Sequence, residues 1–339
     1  MKNREKKAAT AEKRRQRMVL ILCVAILALA IVAVNVRTVV YGYYDSFVRR
    51  GVDVDTAASH LQALAQPVGD AQLEELQAEW DSWRYSRLRE SVTTEAQDGT
   101  ELHGYLYDEG SDVTAIYLPR FHGTGLDDFL MGPWLNAETG CNILMLDPRA
   151  HGESGGDYFS YGWKESEDLA CWLDWADETL GEQTFLLWGE GCGANTILFA
   201  AAFGNLDGRV AYAVAESPYA SFRAEAGHIL WASFRLPSFP FLNLMEWKLN
   251  RDELDFTSGE LELSVALSGQ ACSLPVLFLT SAEDGYIPPE QTQAAYDCYP
   301  GPKEQIRGGA GHGTVVPACQ EELQNLLSQW NQRYGRDGA

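Results

Sequence analysis

A chain of 339 residues, 46% hydrophobic and 22% charged, has the composition of a globular protein and the length for one large domain with an appendage. Residues 1–17 hold eight Lys/Arg and two Glu, so within the overall charge of −22 the rest of the chain carries −28 and no basic stripe. That excludes nucleic acid as a partner of the body, because so acidic a surface repels phosphate backbones and anionic lipid alike. There is no C-x-x-C pair and no metal-ligand spacing, so neither a metal nor a cofactor is expected.

Met18 to Val36 is 19 residues without a charge, Asn35 being its one strongly polar member. As a helix it is about 28 Å long, close to the thickness of a bilayer core. Lys13-Arg14-Arg15-Gln16-Arg17 precedes it and only Arg37 lies just after. The positive-inside rule puts residues 1–17 in the cytosol and the main domain outside, as a single-pass signal-anchor protein of the cell membrane. The alternative is a signal peptide cleaved after Ala28-Leu29-Ala30, but the apolar run continues past that point and favours an anchor.

Residues 41–90 read as a connector. Leu73, Leu76, Trp80, Trp83 and Leu88 fall at near-helical spacing and predict an amphipathic helix docked on the body, with Pro67 and Gly69 breaking what precedes it. Cys23 lies in the apolar segment. The other six cysteines permit disulfides in an oxidising compartment, or serve as small buried residues.

From residue 91 to 334 strands alternate with helices. A hairpin is predicted at Ser91–Ala96 and Leu102–Tyr107, with strands at Val113–Leu118, Asn142–Leu146, Thr184–Trp188, Val210–Ala215 and Pro275–Thr280. Helices are predicted at Leu126–Glu138, Gly162–Leu180, Gly193–Phe203, Pro289–Cys298 and Pro317–Tyr334. The pattern predicts an α/β doubly wound, mostly parallel sheet with function at the carboxyl ends of its strands. Tyr219 to Ser268 interrupts it with large apolar groups and two prolines, and reads as a helical cap over those ends.

Phe185 to Asn195 is an apolar strand, a glycine-rich turn and the start of a small-residue helix, the shape of a G-x-S-x-G nucleophile elbow. The middle position is Gly191, which has no side chain to attack with. Losing such a nucleophile elsewhere lowers turnover about a millionfold. Cys192, beside it at a helix N-terminus, is the substitute to weigh. A one-residue slip moves its sulfur by several ångströms, however, given ~3.8 Å between adjacent Cα atoms. Glu190, Ser217 and an activated water are further options. The backbone N–H groups of Thr124, in Phe121-His122-Gly123-Thr124-Gly125, and of Cys192 are the candidate oxyanion donors. His122 and His151 read as loop-holding residues; His60, His103 and His228 have no catalytic context.

Taken together, His122-Gly123, Asp147 to Ser154 (D-x-R-x-H-G-x-S), Tyr161-Gly162-Trp163-Lys164-Glu165, the elbow, Asp284 and His312 resemble an α/β-hydrolase of the serine-aminopeptidase/esterase-like branch, and the chain is similar to membrane-anchored bacterial members. The resemblance implies Asp284 as the acid and His312 as the general base, in the order nucleophile–acid–histidine. It also implies a small acyl, ester or peptide-like ligand. Three functions follow: a hydrolase degenerate at its nucleophile that binds such a ligand or a protein partner, an active esterase or peptidase using a substitute nucleophile or water, and a structural envelope protein. The intact Asp284 and His312 favour the first two, and Gly191 favours the first.

Overall fold

Neither Pro nor Gly interrupts the chain before Gly42, and in a computed structural model, which describes residues 2–50, 71–206, 208–252 and 254–335, Lys2–Val48 is one helix, α1. Within it, Glu12–Gly42 is long and apolar enough to cross a membrane, with a mean hydropathy of 3.1 in its most apolar window and none of that window buried. The chain divides into two compact units, Met1–Asp45 and Ser46–Ala339.

The second unit is built on an eight-stranded sheet ordered β1-β2-β4-β3-β5-β6-β7-β8. The strands are β1 (Glu90–Glu95), β2 (Glu101–Tyr107), β3 (Val113–Leu118), β4 (Asn142–Asp147), β5 (Thr184–Glu190), β6 (Val210–Glu216), β7 (Val276–Ser281) and β8 (Lys303–Gly308). β1 pairs antiparallel with β2, and β2 with β4; every other pairing is parallel. The register sets Leu118 beside Gly189, Glu190 beside Glu216 and Glu216 beside Leu279, so the loops after these strands emerge together at one end.

Helices cover both faces, as parallel strands require. On one face α4 (Glu165–Leu180) and α5 (Cys192–Phe203) bury Leu169, Trp172, Ile197 and Phe199 against the sheet. On the other lie α2 (Ala71–Tyr85), α3 (Gly132–Thr139), the short α10 (Val315–Ala318) and α11 (Gln320–Tyr334). The connector helix docks as its spacing predicts: Leu76, Trp80 and Trp83 are buried, and Trp80 stacks on Trp83 at 5.4 Å. Leu88 falls past the end of α2 and is exposed, and Pro67 and Gly69 lie outside the described residues.

The insertion between β6 and β7 is helical: α6 (Phe222–Phe234), α7 (Ser238–Leu249) and α8 (Leu263–Ala266), followed after β7 by α9 (Pro289–Cys298). Leu230 and Leu242 of the cap are buried, whereas Trp231, Phe239 and Trp247 face out. Three local differences from the pattern have physical causes. β8 reads Lys-Glu-Gln-Ile-Arg-Gly, an edge strand with Ile306 as its one buried side chain and therefore no apolar signal. The helix expected from Leu126 starts at Gly132, because Asp127 N–H donates to Thr124 O and Gly132 N–H to Phe129 O, closing turns instead. The last helix is broken at Cys319 into α10 and α11. No cysteine is disulfide-bonded.

Candidate active site

The turn between β5 and α5 is shaped by three glycines, two by close backbone approach and one by its positive φ. A Cβ on Gly189 would overlap the backbone of Gly193, and one on Gly193 would overlap Leu118 O, so strand, turn and helix close only with hydrogen there. Gly191 has φ +51° and ψ −109°, and its N–H donates to Glu216 O at 2.8 Å. The space around it is nevertheless open. A Cβ at Gly191 would meet only Ile287 Cδ1 at 3.5 Å and Arg120 Cβ at 3.7 Å, both ordinary van der Waals contacts. The turn therefore leaves room for a side chain at position 191.

Asp284 and His312 come together from the loops after β7 and β8. His312 Nδ1 lies 2.8 Å from Asp284 Oδ2, with both residues buried. Asp284 Oδ1 accepts from the N–H groups of Tyr286 and Ile287 at 2.9 Å each. Since the carboxylate only accepts, Nδ1 carries the proton and Nε2 keeps a free lone pair. The Tyr286 ring meets the imidazole edge-on at 4.9 Å and limits its rotation. Ser217 Oγ donates to the same Asp284 Oδ2 at 3.4 Å, so this serine supports the acid and is not poised as a nucleophile.

Cys192 begins α5, where its N–H has no intrahelical acceptor. Its thiol is turned away, 3.4 Å from Tyr219 Oη and within reach of the Phe121 N–H. Burial pushes that thiol up to about 12, so it is not a thiolate at neutral pH. Thr124 lies in a local turn, its carbonyl accepting from Asp127 N–H at 3.0 Å and its hydroxyl from Leu126 N–H at 3.2 Å. The part of this loop that meets the elbow is earlier: Leu118, Arg120 and Phe121.

Arg120, Glu216 and Glu225 carry no sequence signal. Arg120 Nη1 pairs with Glu190 Oε2 at 3.3 Å, half-exposed beside Gly191. Glu190 is held above the usual carboxylate range by burial, with Arg120 opposing that shift. Glu216 and Glu225 are buried and pushed well above that range, in each case chiefly by burial. Both oxygens of Glu225 lack a hydrogen-bond partner. His228, one turn further along α6, donates from Nε2 to Gly285 O at 2.9 Å and so fixes the cap against the acid loop. His122 and His151 hold loops as expected: His122 N–H donates to His151 Nε2 at 3.3 Å, and burial lowers His122 to about 4. His60 lies outside the described residues. Among the described residues no cluster of three or more His, Cys, Asp or Glu is arranged to hold a metal.

No family model matches the chain. An uncharacterized protein of Bacillus subtilis (strain 168), YqkD, is 34% identical over 167 residues, 49% of this chain and 53% of that protein. The chain thus spans about half the length of the curated relative it matches. The esterase Pf2001 of Pyrococcus furiosus superposes with a TM-score of 0.59 at 20% identity, over 79% of this chain and 98% of that one. GrgF, an alpha/beta hydrolase of Penicillium sp. sh18, gives 0.52 at 22% over 73% and 99%, and an acetyl xylan esterase of Paenibacillus sp. R4 gives 0.51 at 16% over 80% and 98%. With the mostly parallel eight-stranded sheet, these likenesses show that the chain has the α/β-hydrolase fold.

Proposed function

We propose that this is a membrane-anchored, extracytoplasmic α/β-hydrolase-like protein that binds an acyl, ester or peptide-like carbonyl compound at the elbow without efficient turnover. The observation that carries the reading is the open space at Gly191. It adjoins an acid loop whose Asp284–His312 pair is fully made, and a helix whose first N–H is free to meet a carbonyl oxygen. Such a site retains the groups that recognise a polarised carbonyl and lacks the one that forms a bond to it. Arg120, half-exposed beside the empty position, adds a cation that favours a ligand bearing a carboxylate. Glu12–Gly42 supplies the anchor, and the basic residues before it favour a cytosolic N-terminus.

The test is hydrolysis of short acyl esters and aminoacyl substrates by the detergent-solubilised chain beside its Gly191→Ser variant. The natural protein is expected to show no hydrolysis that His312→Ala removes. The variant is expected to turn over, and to lose that activity in Gly191→Ser/His312→Ala. Equal or greater His312-dependent activity in the natural protein would sink the proposal. The alternative, an active hydrolase, would then run through water in the space at Gly191, because the Cys192 thiol is buried and protonated.

A further inference from the structure

Away from the elbow, on the antiparallel side of the sheet, three other residues have the geometry of a nucleophile, a base and an orienting acid. Ser91 Oγ lies 2.6 Å from His103 Nε2, and His103 Nδ1 lies 3.1 Å from Asp147 Oδ2. Ser91 is exposed, His103 is 4% exposed and Asp147 1%. An accessible hydroxyl backed by a buried imidazole and a more deeply buried carboxylate is the order that acyl transfer requires.

The base is held rather than merely near. Asp147 Oδ1 accepts from Gly125 N–H at 2.7 Å and Oδ2 from Glu153 N–H at 2.9 Å. The loop wraps the carboxyl so closely that a Cβ on Gly152, at φ +50°, would overlap it. Ser154 Oγ accepts from His103 N–H and donates to Asp147 O, tying the two backbones together. The Tyr105 ring stands edge-on to the imidazole at 4.7 Å. Since Asp147 accepts from Nδ1–H, Nε2 offers its lone pair to the Ser91 hydroxyl. Glu153 Oε2, 3.3 Å from the same Nε2, stabilises the imidazolium once the proton has moved.

An oxyanion donor is also at hand. In the β1–β2 ladder Ala96 N–H donates to Thr100 O, and alternation from that pair makes Ser91 and Tyr105 a non-hydrogen-bonded pair. β1 is the edge strand, so the Ser91 N–H points to the open edge. Arg89, two residues earlier with its guanidinium 4.7 Å over the Tyr105 ring, adds positive charge beside it.

We propose that Ser91 is a second nucleophile, activated by His103 and Asp147, that takes acyl or phosphonyl groups from activated esters at the exposed face of the β1–β2 hairpin. Ser91 Oγ attacks the carbonyl carbon while its proton passes to His103 Nε2. The C–O bond to the alcohol breaks, and the alcohol leaves with that proton. Water, deprotonated by the same nitrogen, then releases the acid and restores Ser91.

The elbow holds no serine, so the two sites are separable in one experiment. The detergent-solubilised full chain is treated with a fluorophosphonate, whose P–F bond breaks as fluoride leaves, and the adduct is mapped by mass spectrometry. An adduct on Ser91 is expected, formed at least about 100-fold more slowly in His103→Gln, the scale on which a general base acts. Should that variant fail to fold, Ser91→Cys, a change at an exposed position, is alkylated with iodoacetamide across pH. A midpoint well below the ordinary thiol value of about 8.5 is expected. No adduct on Ser91, an unchanged rate in folded His103→Gln, or an ordinary midpoint in Ser91→Cys would each overturn the proposal.

Discussion

Ile287 stands over Gly191: its Cδ1 is 3.5 Å from where a β-carbon of residue 191 would lie, while its backbone N–H donates to the Asp284 carboxylate. One residue thus joins the open space at Gly191 to the Asp284 loop. The contact is ordinary in length, so Gly191→Ser has room and suffers only from a positive φ. That variant is expected to fold with a loss of about 1–3 kcal/mol, the usual cost of a non-glycine residue in a sparsely populated region. Gly193→Ala offers the contrast, since its methyl would overlap Leu118 O, a backbone atom that cannot swing aside. Urea unfolding of the two variants checks this: Gly193→Ala should be the more damaged, and the reverse order would show that the elbow is not built as described.

Cys192 is expected to resist alkylation in the folded protein at pH 8 and to react only on unfolding. The residue is 4% exposed and burial pushes its thiol up to about 12, with Tyr219 as its neighbour. Iodoacetamide labelling with each cysteine quantified by mass spectrometry provides the check. Labelling of Cys192 ahead of the half-buried Cys171 or Cys319 at neutral pH would restore it as a candidate nucleophile.

The sheet was legible because its buried strands are continuous apolar runs between turn residues; Val113–Leu118 and Pro289–Cys298 even keep their predicted ends. β8 was not, because a polar edge strand is specified by backbone pairing with β7 rather than by hydrophobicity. At the site, Asp284 and His312 stand out in sequence through their turn-forming neighbours, and the structure brings them within hydrogen-bonding distance. Ser91 and His103 lie on paired strands twelve residues apart, and only the ladder register brings them to one face.

The loop around Asp147 is anchored by a buried ion pair. Arg149 Nε lies 2.7 Å from Asp168 Oδ2, with a second bond from Nη2 to Oδ1. Burial pushes Asp168 up to about 6 despite that partner. Arg149→Met would leave a buried carboxyl without its cation, a loss of about 3–5 kcal/mol. Arg149→Met/Asp168→Leu should recover most of it, because the desolvated charge goes as well. Chemical denaturation of the single and double variants measures this. A double variant no more stable than the single would mean that the pair holds the loop through geometry that apolar packing does not replace.

Glu225 should make the protein less stable as pH rises, and Glu225→Gln should remove that dependence. Burial, aided by repulsion from Asp284, raises this carboxyl well above its ordinary range, and neither oxygen has a partner. A raised folded pKa means that the fold keeps a proton the unfolded chain releases from about pH 4.3 upward. Stability from this group is therefore greatest below that value and falls until the folded pKa is passed. Near pH 4 the variant and the natural protein should unfold at similar denaturant concentrations. By pH 8 the glutamine variant should be the more stable, by about 1–3 kcal/mol, the scale of one buried unsatisfied group. Glu216 titrates in the same direction but is present in both proteins, so the difference curve isolates Glu225. A difference flat with pH would mean that the carboxylate is charged in the fold and meets a cation there.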